Sequence, residues 1–247
     1  MCYIVEELMT KSSIGPCNIC GEKRWGNQGS RENVRCLGCG SLERTRILKL
    51  HLDQLGLPHN GDSILHIAPE RSLAKLLHDK VGAGYEAADL HPELFPFCEV
   101  RALNLCCDAE SLPHSHYDLI LHSHVLEHLP CNYTAVLFFL HRALRPGGHH
   151  IFSLPILSGF YEEDLGNLSE REAIARFGQS DHVRRIGRSN LEATLGMIFP
   201  GDLERHRIDR CFDAETLRRA NVPSDQWTTL NSSTVFVFGK SELRLCN

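Results

Sequence analysis

The 247-residue chain has no apolar run near the roughly 18 residues that a membrane helix requires. Met1–Ser13 lacks a basic start followed by an apolar core, so no secretory leader is expected. There is no internal repeat and no low-complexity tract. Basic charge is not in excess: the net charge is −5, which argues against broad nucleic-acid binding. What the chain does not lack is cysteine, with eleven. Four have metal spacing, and the other seven are scattered and odd in number. That usage predicts a reducing, cytoplasmic setting rather than a disulfide framework. A hydrophobic content of 42% is that of a soluble globular protein, and the length suits one large domain with a small appendage.

The appendage is legible first. Cys17 and Cys20 are two residues apart, as are Cys36 and Cys39, and each pair is followed by glycine (Gly21, Gly40). Two thiolates so spaced grip one ion from a tight turn, and two such knuckles make a tetrahedral four-sulfur site, normally zinc. With every position filled by sulfur, the site is structural rather than catalytic. The predicted ribbon covers residues 14–41 and is locally basic: eight basic residues stand against three acidic ones between Lys11 and Lys49. That charge can serve nucleic acid, can simply be a solvated face, or can dock the ribbon on the acidic remainder of the chain. Leu42–Leu55 reads as an amphipathic helix, and residues 42–62 as helix plus linker.

The rest, residues 63–247, alternates strand and helix, the pattern of a mostly parallel sheet. Ser63–Ala68, Gly84–Asp89, Val100–Leu103, Tyr117–Leu121 and Ile151–Leu154 read as strands, with helices at Ser72–Asp79 and Asn132–Leu144. Arg145-Pro146-Gly147-Gly148 stops the second helix. Thr234–Phe238 reads as a last strand, Leu191–Phe199 as a helix, Leu203–Asp209 as an outer strand, and the chain from Ser241 as a tail without a role. Ligands of such sheets bind beyond the carboxyl ends of the strands. There the chain places Asp89, a carboxylate able to hold two ribose hydroxyls, and His122, His124, Glu127 and His128.

The stretch Tyr117–Pro155, with YDLI, HVLEHL and ALRPGG, resembles class I S-adenosylmethionine (SAM) dependent methyltransferases, in particular the group that includes the ubiquinone-biosynthesis O-methyltransferases. CGSLER at Cys39–Arg44, LHIAPER at Leu65–Arg71 and FGQxDHVRxxG at Phe177–Gly187 resemble a set of small methyltransferases with an N-terminal zinc ribbon. The resemblance implies a Rossmann-like sheet whose last strand is antiparallel. It implies SAM as cofactor, held by His66, Ala68, Pro69, Glu70, Asp89, Leu90, Asp108, Ala109 and His122. Asp108 and Ala109 would face the adenine; Asp108 reads equally as a helix cap. The chain departs from the family at its first loop, His66–Arg71, which has no glycine where backbone normally approaches the methionine end of SAM. It departs again at His124, which replaces the first carboxylate of an ExxEH pattern and weakens a hard-cation site there.

His124 is the candidate general base, an imidazole with an ordinary pKa near ~6.5, and His182 a second. Glu127 and His128 suit either the acceptor or a hydrogen-bond pair under the cofactor. The polar insert 155–190 carries a helix at Ser169–Phe177, and its Tyr161, Glu162, His182 and Arg184 could line an acceptor pocket, form a lid, or tie down a solvated surface excursion by ion pairs. The expected activity is methyl transfer to an oxygen or nitrogen of a small molecule such as a sugar or other secondary metabolite. The rivals are an RNA methyltransferase that uses the ribbon as reader, and a binding protein that has lost SAM.

Overall fold

A computed structural model of the protein describes residues 14–166 and 168–244. Met1–Ser13, on which the leader expectation rests, lies outside them. Two strands, β1 (Trp25–Gln28) and β2 (Arg31–Cys36), form an antiparallel hairpin that carries the cysteine knuckles. Helix α1 (Glu43–Leu55) follows, ended by Gly56 in the left-handed conformation. Then come β3 (Ile64–Ile67), α2 (Arg71–Val81), β4 (Tyr85–Asp89), β5 (Arg101–Ala102), the one-turn α3 (Leu105–Asp108), β6 (Tyr117–Ser123), α4 (Tyr133–Ala143) and β7 (Leu144–Ser153). The insert holds β8 (Ile156–Leu157), β9 (Glu162–Glu163), α5 (Glu170–Phe177) and β10 (Arg184–Gly187). The chain closes with α6 (Ile208–Cys211), α7 (Ala214–Arg219) and β11 (Val235–Gly239).

The central sheet has the order β11-β7-β6-β3-β4-β5. All neighbours are parallel except β11, which runs antiparallel to β7. The chain starts at β3, builds outward to β5, and then returns to β6 on the other side. The strand order therefore reverses between β3 and β6, where an open α/β sheet forms its crevice. The strands are buried on both faces, as parallel strands must be: all four residues of β3 are buried. One face packs Ile64, Leu119, Leu121 and Ile151 against Ile47, Leu48 and Leu52 of α1. The other packs Leu65, Ile67 and Ile120 against Val136 and Leu140 of α4, and continues into Phe152, Phe199, Phe236 and Phe238.

The three buried aliphatics of α1 contribute roughly 2 kcal/mol each, and they make the ribbon's connecting helix part of the main core. Arg46 locks the join. Its fully buried guanidinium donates to the carbonyls of Ser41 (2.8 Å), Ala220 (2.7 Å) and Asn221 (2.8 Å) and lies over the Trp25 ring.

Four sequence readings need correction. The second crossover strand begins at Leu144, not Ile151, directly after α4. Gly148 permits this, because a Cβ there would stand 3.0 Å from the Asp118 carbonyl oxygen of β6. Leu191–Phe199 is a chain of 3-10 turns, and Leu203–Asp209 is a 3-10 turn running into α6, not a strand. The tail after Ser241 is anchored: Leu243 is buried, and the Arg244 N–H donates to the Ile198 carbonyl. Among the described residues, Cys106 and Cys131 are joined in a disulfide that ties α3 to the loop before α4. Among the described residues no helix is long and apolar enough to cross a membrane.

Candidate active site at the carboxyl edge of the sheet

The first turn over the crevice is built on a strained residue. Ala68 has φ 50°, the left-handed region that glycine enters freely and alanine does not. The glycine-less loop thus keeps a glycine's backbone turn. Pro69 follows and is buried, and Glu70 stands immediately before α2. Beneath them His66 is fully buried, with Nδ1 2.9 Å from the Tyr85 hydroxyl and Nε2 3.0 Å from Glu70 Oε2. Its imidazole therefore supports Glu70 and does not itself reach a ligand. Burial pushes the Glu70 carboxyl up, but the His66 contact, with Arg44 further off, holds it below the usual range.

Asp89 ends β4, half-buried, with Oδ1 accepting the His91 N–H at 2.8 Å. Leu90 beside it is exposed. Asp108 accepts the Asn104 N–H at 2.8 Å, while Asn104 caps α3 by accepting from Cys106. The cap is therefore Asn104, and Asp108 closes the loop from its other end. Ala109 is buried directly after it.

His122 is corrected. Its side chain turns into the core, stacked on Phe152 with Nε2 3.0 Å from His150 Nε2, so only its backbone reaches the crevice. Burial pushes its imidazole down to about 3.

The next residues do face the crevice. His124 also has positive φ, 56°, which swings its ring over the strand end. Its Nε2 donates to the Ser232 carbonyl at 3.0 Å, leaving Nδ1 as acceptor 3.4 Å from Glu127 Oε1. Burial lowers this imidazole to about 4, below the ordinary value expected from sequence. Glu127 is completely buried, and neither carboxylate oxygen has a hydrogen-bond partner. Burial raises it to about 8, so it is protonated at neutral pH and can donate to His124 Nδ1.

The insert reaches the same place. The backbone N–H of Val183 donates to the Glu127 carbonyl, and His182 lies edge-on to His128 with centroids 4.7 Å apart. His182 Nδ1 is 3.2 Å from the Phe177 carbonyl, and His128 Nδ1 is 3.2 Å from Asp181 Oδ2. His182 Nε2 is left without a partner, and His128 Nε2 lies 3.9 Å from Glu127 Oε1. The donor atoms of Glu127, His128 and His182 lie within 4.8 Å of one another, close enough to share a cation.

Three other insert residues are engaged as scaffold, the ion-paired alternative of their sequence reading. Arg184 is fully buried and donates to the carbonyls of Leu126 and Cys131 and to Glu163. Glu162 pairs with Arg176 and Arg185, and the Tyr161 hydroxyl donates to Glu163. They hold the small sheet β8-β10-β9 against the site.

Sequence reasoning missed the opposite wall. A cavity of about 640 Å3 is lined by His124, Glu127 and His128 on one side, by Arg31 and Arg44 from the ribbon and α1, and by Asn231 and Ser232 ahead of β11. The CGSLER motif was a signal for Arg44; Asn231 and Ser232 carried none.

At the ribbon the sulfurs of Cys17, Cys20, Cys36 and Cys39 all lie within 4.8 Å of one another. The contacts Cys17–Cys39 (3.7 Å) and Cys20–Cys36 (3.5 Å) match the ~3.8 Å edge of a tetrahedron of thiolates about 2.3 Å from a shared ion. Burial opposes ionisation of Cys17, but the Ser41 hydroxyl and nearby N–H groups outweigh it and lower the thiol to about 7.

Residues 71–221 match the family described as a methyltransferase domain. None of the curated proteins matches the chain. Among solved structures, a SAM-dependent methyltransferase from Mesorhizobium loti is 16% identical, with 77% of this chain and 95% of that chain covered and a TM-score of 0.46. A SAM-dependent methyltransferase from Archaeoglobus fulgidus is 16% identical over 80% and 93%, with a TM-score of 0.45. The Burkholderia thailandensis 1,6-didemethyltoxoflavin-N1-methyltransferase, with bound 1,6-didemethyltoxoflavin and S-adenosylhomocysteine, is 19% identical over 65% and 69%, with a TM-score of 0.42. The family match spans more than half of the chain and takes in Asp89, Asp108, His124, Glu127 and His182: the chain belongs to the methyltransferase-domain family and is an enzyme with the Rossmann-like sheet of the SAM-dependent methyltransferases.

Proposed function

We propose that the enzyme transfers the methyl group of SAM to an oxygen or nitrogen of a small polar acceptor, held between the ribbon and the carboxyl edge of the sheet. One observation carries this reading: Arg31 and Arg44 share a cavity of about 640 Å3 with His124 and Glu127. That volume suits a small molecule, and its polar lining suits hydroxyls or an anionic group. Part of the ribbon's charge is spent internally, which supports the same side of the choice. Arg24 pairs with Glu22, Arg31 with Glu43 and Lys49 with Asp53, and Arg46 is buried. Lys23, Arg35 and Arg44 remain without an ion pair among the described residues, a small set of contacts for a phosphate backbone.

The donor would lie across the switch point, with the ribose at Asp89 and the adenine beside Asp108 and Ala109. The acceptor's lone pair attacks the sulfonium methyl in line. A carbon–oxygen or carbon–nitrogen bond forms, the sulfur–methyl bond breaks, and the sulfur leaves as a neutral thioether. The protein's part is alignment and exclusion of water. The acceptor's proton passes to an imidazole, His124 Nδ1 or His182 Nε2. A weak base suffices, because an oxygen that has just gained a methyl group is a far stronger acid than an imidazolium.

The four cysteines fit a structural zinc ion, and we assign them that role. Zinc would fix the knuckles that present Arg31 and Arg44, and would take no part in the displacement.

Incubation with methyl-labelled SAM and a fractionated extract tests the proposal. Label in the small-molecule fraction is expected; label confined to RNA would overturn the acceptor class. Elemental analysis should find one zinc per chain, lost in Cys36→Ser, and well under one equivalent in the wild type would overturn the metal assignment.

A further inference from the structure

Arg44 and Glu70 carry opposite charges above the point where the strand order reverses, and they do not pair. Arg44 is the second residue of α1, and Glu70 immediately precedes α2. Both line one cavity of about 1040 Å3 between the ribbon and the start of α2. Arg44 also lines the cavity that holds His124 and Glu127, so it stands in the wall between the two spaces. No ion pair joins Arg44 to Glu70 or to any other described side chain. Arg44 Nε is buried without a hydrogen-bond partner, and so is Glu70 Oε1. Glu70 is not free to turn away, because its other oxygen is held 3.0 Å from His66.

Arg44 and Glu70 are each only part-buried, but a buried polar atom without a partner calls for a ligand or an ion. Here Arg44 and Glu70 leave one cationic and one anionic buried atom open on the same cavity, which the exposed Arg35 also lines. A ligand that presents a carboxylate and an ammonium a few bonds apart satisfies both. We propose that Arg44 and Glu70 clamp the zwitterionic amino-acid end of SAM, Arg44 taking the α-carboxylate and Glu70 the α-ammonium. The inference rests on SAM being the methyl donor. It assigns recognition to two side chains that lie outside the family-matched residues 71–221. It also accounts for the loop without glycine: a charged side chain takes over the recognition that bare backbone provides when glycines are present. Arg71 and Lys75 line the same cavity, but Lys75 is paired with Asp79 and Arg71 lies over the Phe97 ring.

Calorimetry on the zinc-loaded full chain tests the clamp with three ligands. These are S-adenosylhomocysteine, its decarboxylated analogue, and 5′-methylthioadenosine, which lacks the amino-acid end altogether. Arg44→Ala should weaken S-adenosylhomocysteine by at least about ten-fold, as the loss of a charge-assisted hydrogen bond does. It should leave the other two ligands within about two-fold, and Arg44→Lys should recover part of the loss. Glu70→Gln should weaken S-adenosylhomocysteine and the decarboxylated analogue alike, and spare methylthioadenosine. The unchanged methylthioadenosine affinity serves as the control for folding. Equal losses for all three ligands in Arg44→Ala, or unchanged S-adenosylhomocysteine binding, would overturn the clamp alone. A wild-type protein that binds none of the three overturns the SAM reading and the clamp with it.

Discussion

His66 Nε2 lies 3.0 Å from Glu70 Oε2, while the same ring's Nδ1 lies 2.9 Å from the Tyr85 hydroxyl. A fully buried imidazole thus transmits the position of β4 to the residue that opens α2. Replacing it tests whether the cofactor loop depends on that support. His66→Leu leaves the Glu70 carboxylate without its anchor, and S-adenosylhomocysteine affinity should fall by about ten-fold. His66→Gln retains a donor toward Glu70 and should fall less. Titration calorimetry on the two variants decides the point; equal affinities in both would mean that Glu70 is set by the backbone alone.

Ala68 offers a different test of the same loop. Left-handed backbone costs a non-glycine residue roughly 1–2 kcal/mol, and glycine adds about 0.5–1 kcal/mol of unfolded-state entropy. With φ at 50°, Ala68→Gly should therefore leave stability unchanged or raise it by up to about 1.5 kcal/mol. Ala68→Val should lower it by more than about 1 kcal/mol, because a branched Cβ fits that region worst. Urea unfolding at neutral pH measures both. A destabilised glycine variant would mean that the Cβ makes a contact worth more than the strain.

Acid should weaken the fold through its buried histidines. Burial pushes His122 down to about 3 and His150 well below its ordinary value, and both are fully enclosed against Phe152. In the unfolded chain each titrates near ~6.5. Between those limits the unfolded state binds protons that the folded state refuses, so stability rises with pH across the window and is lost as pH falls below ~6.5. Each such histidine contributes a slope of about 1.4 kcal/mol per pH unit. His51, held down to about 4, and His206, held down to about 3, add to it. Urea midpoints at pH 7 and pH 5 should differ accordingly. The double variant His122→Leu/His150→Leu should show a visibly shallower dependence, and an unchanged one would place the acid sensitivity elsewhere.

The elements that the sequence made legible are those whose pattern is local. The cysteine knuckles, the buried β3 and the alternation of strand with helix follow from spacing and apolar content alone. Leu144–Ser153 was cut short because Pro146 and the two glycines look like a stop. They are tolerated in the strand because Gly148 lets it lie against the Asp118 carbonyl. The site was legible where one segment supplies it, as with His124, Glu127 and His128. It was not legible where distant segments meet. Arg44 and Ser232 are nearly two hundred residues apart and share a cavity only because α1 and the loop before β11 are both drawn to the same sheet edge. Nor does sequence say which way a polar side chain turns. His122 and Arg184 look like site residues and are both consumed by the core.

His124 is the residue on which the proposed chemistry turns. Its Nε2–H is committed to the Ser232 carbonyl, so any proton it accepts must arrive on Nδ1, beside Glu127. Removing a general base costs about 10²–10⁴-fold in rate where proton removal is coupled to the bond-forming step. His124→Ala should therefore keep S-adenosylhomocysteine binding within about three-fold while turnover falls by about 100-fold or more. A structural role would show differently: binding and thermal stability would fall together, because the cavity wall at Ser232 would move. Glu127→Gln separates the proton from the shape. It keeps the size and a neutral group beside Nδ1, as the protonated acid does at neutral pH, and so should retain most of the turnover there. Single-turnover rates measured with a fixed acceptor give both comparisons. Wild-type turnover in His124→Ala would transfer the base role to His182, whose free Nε2 faces the same carboxyl group.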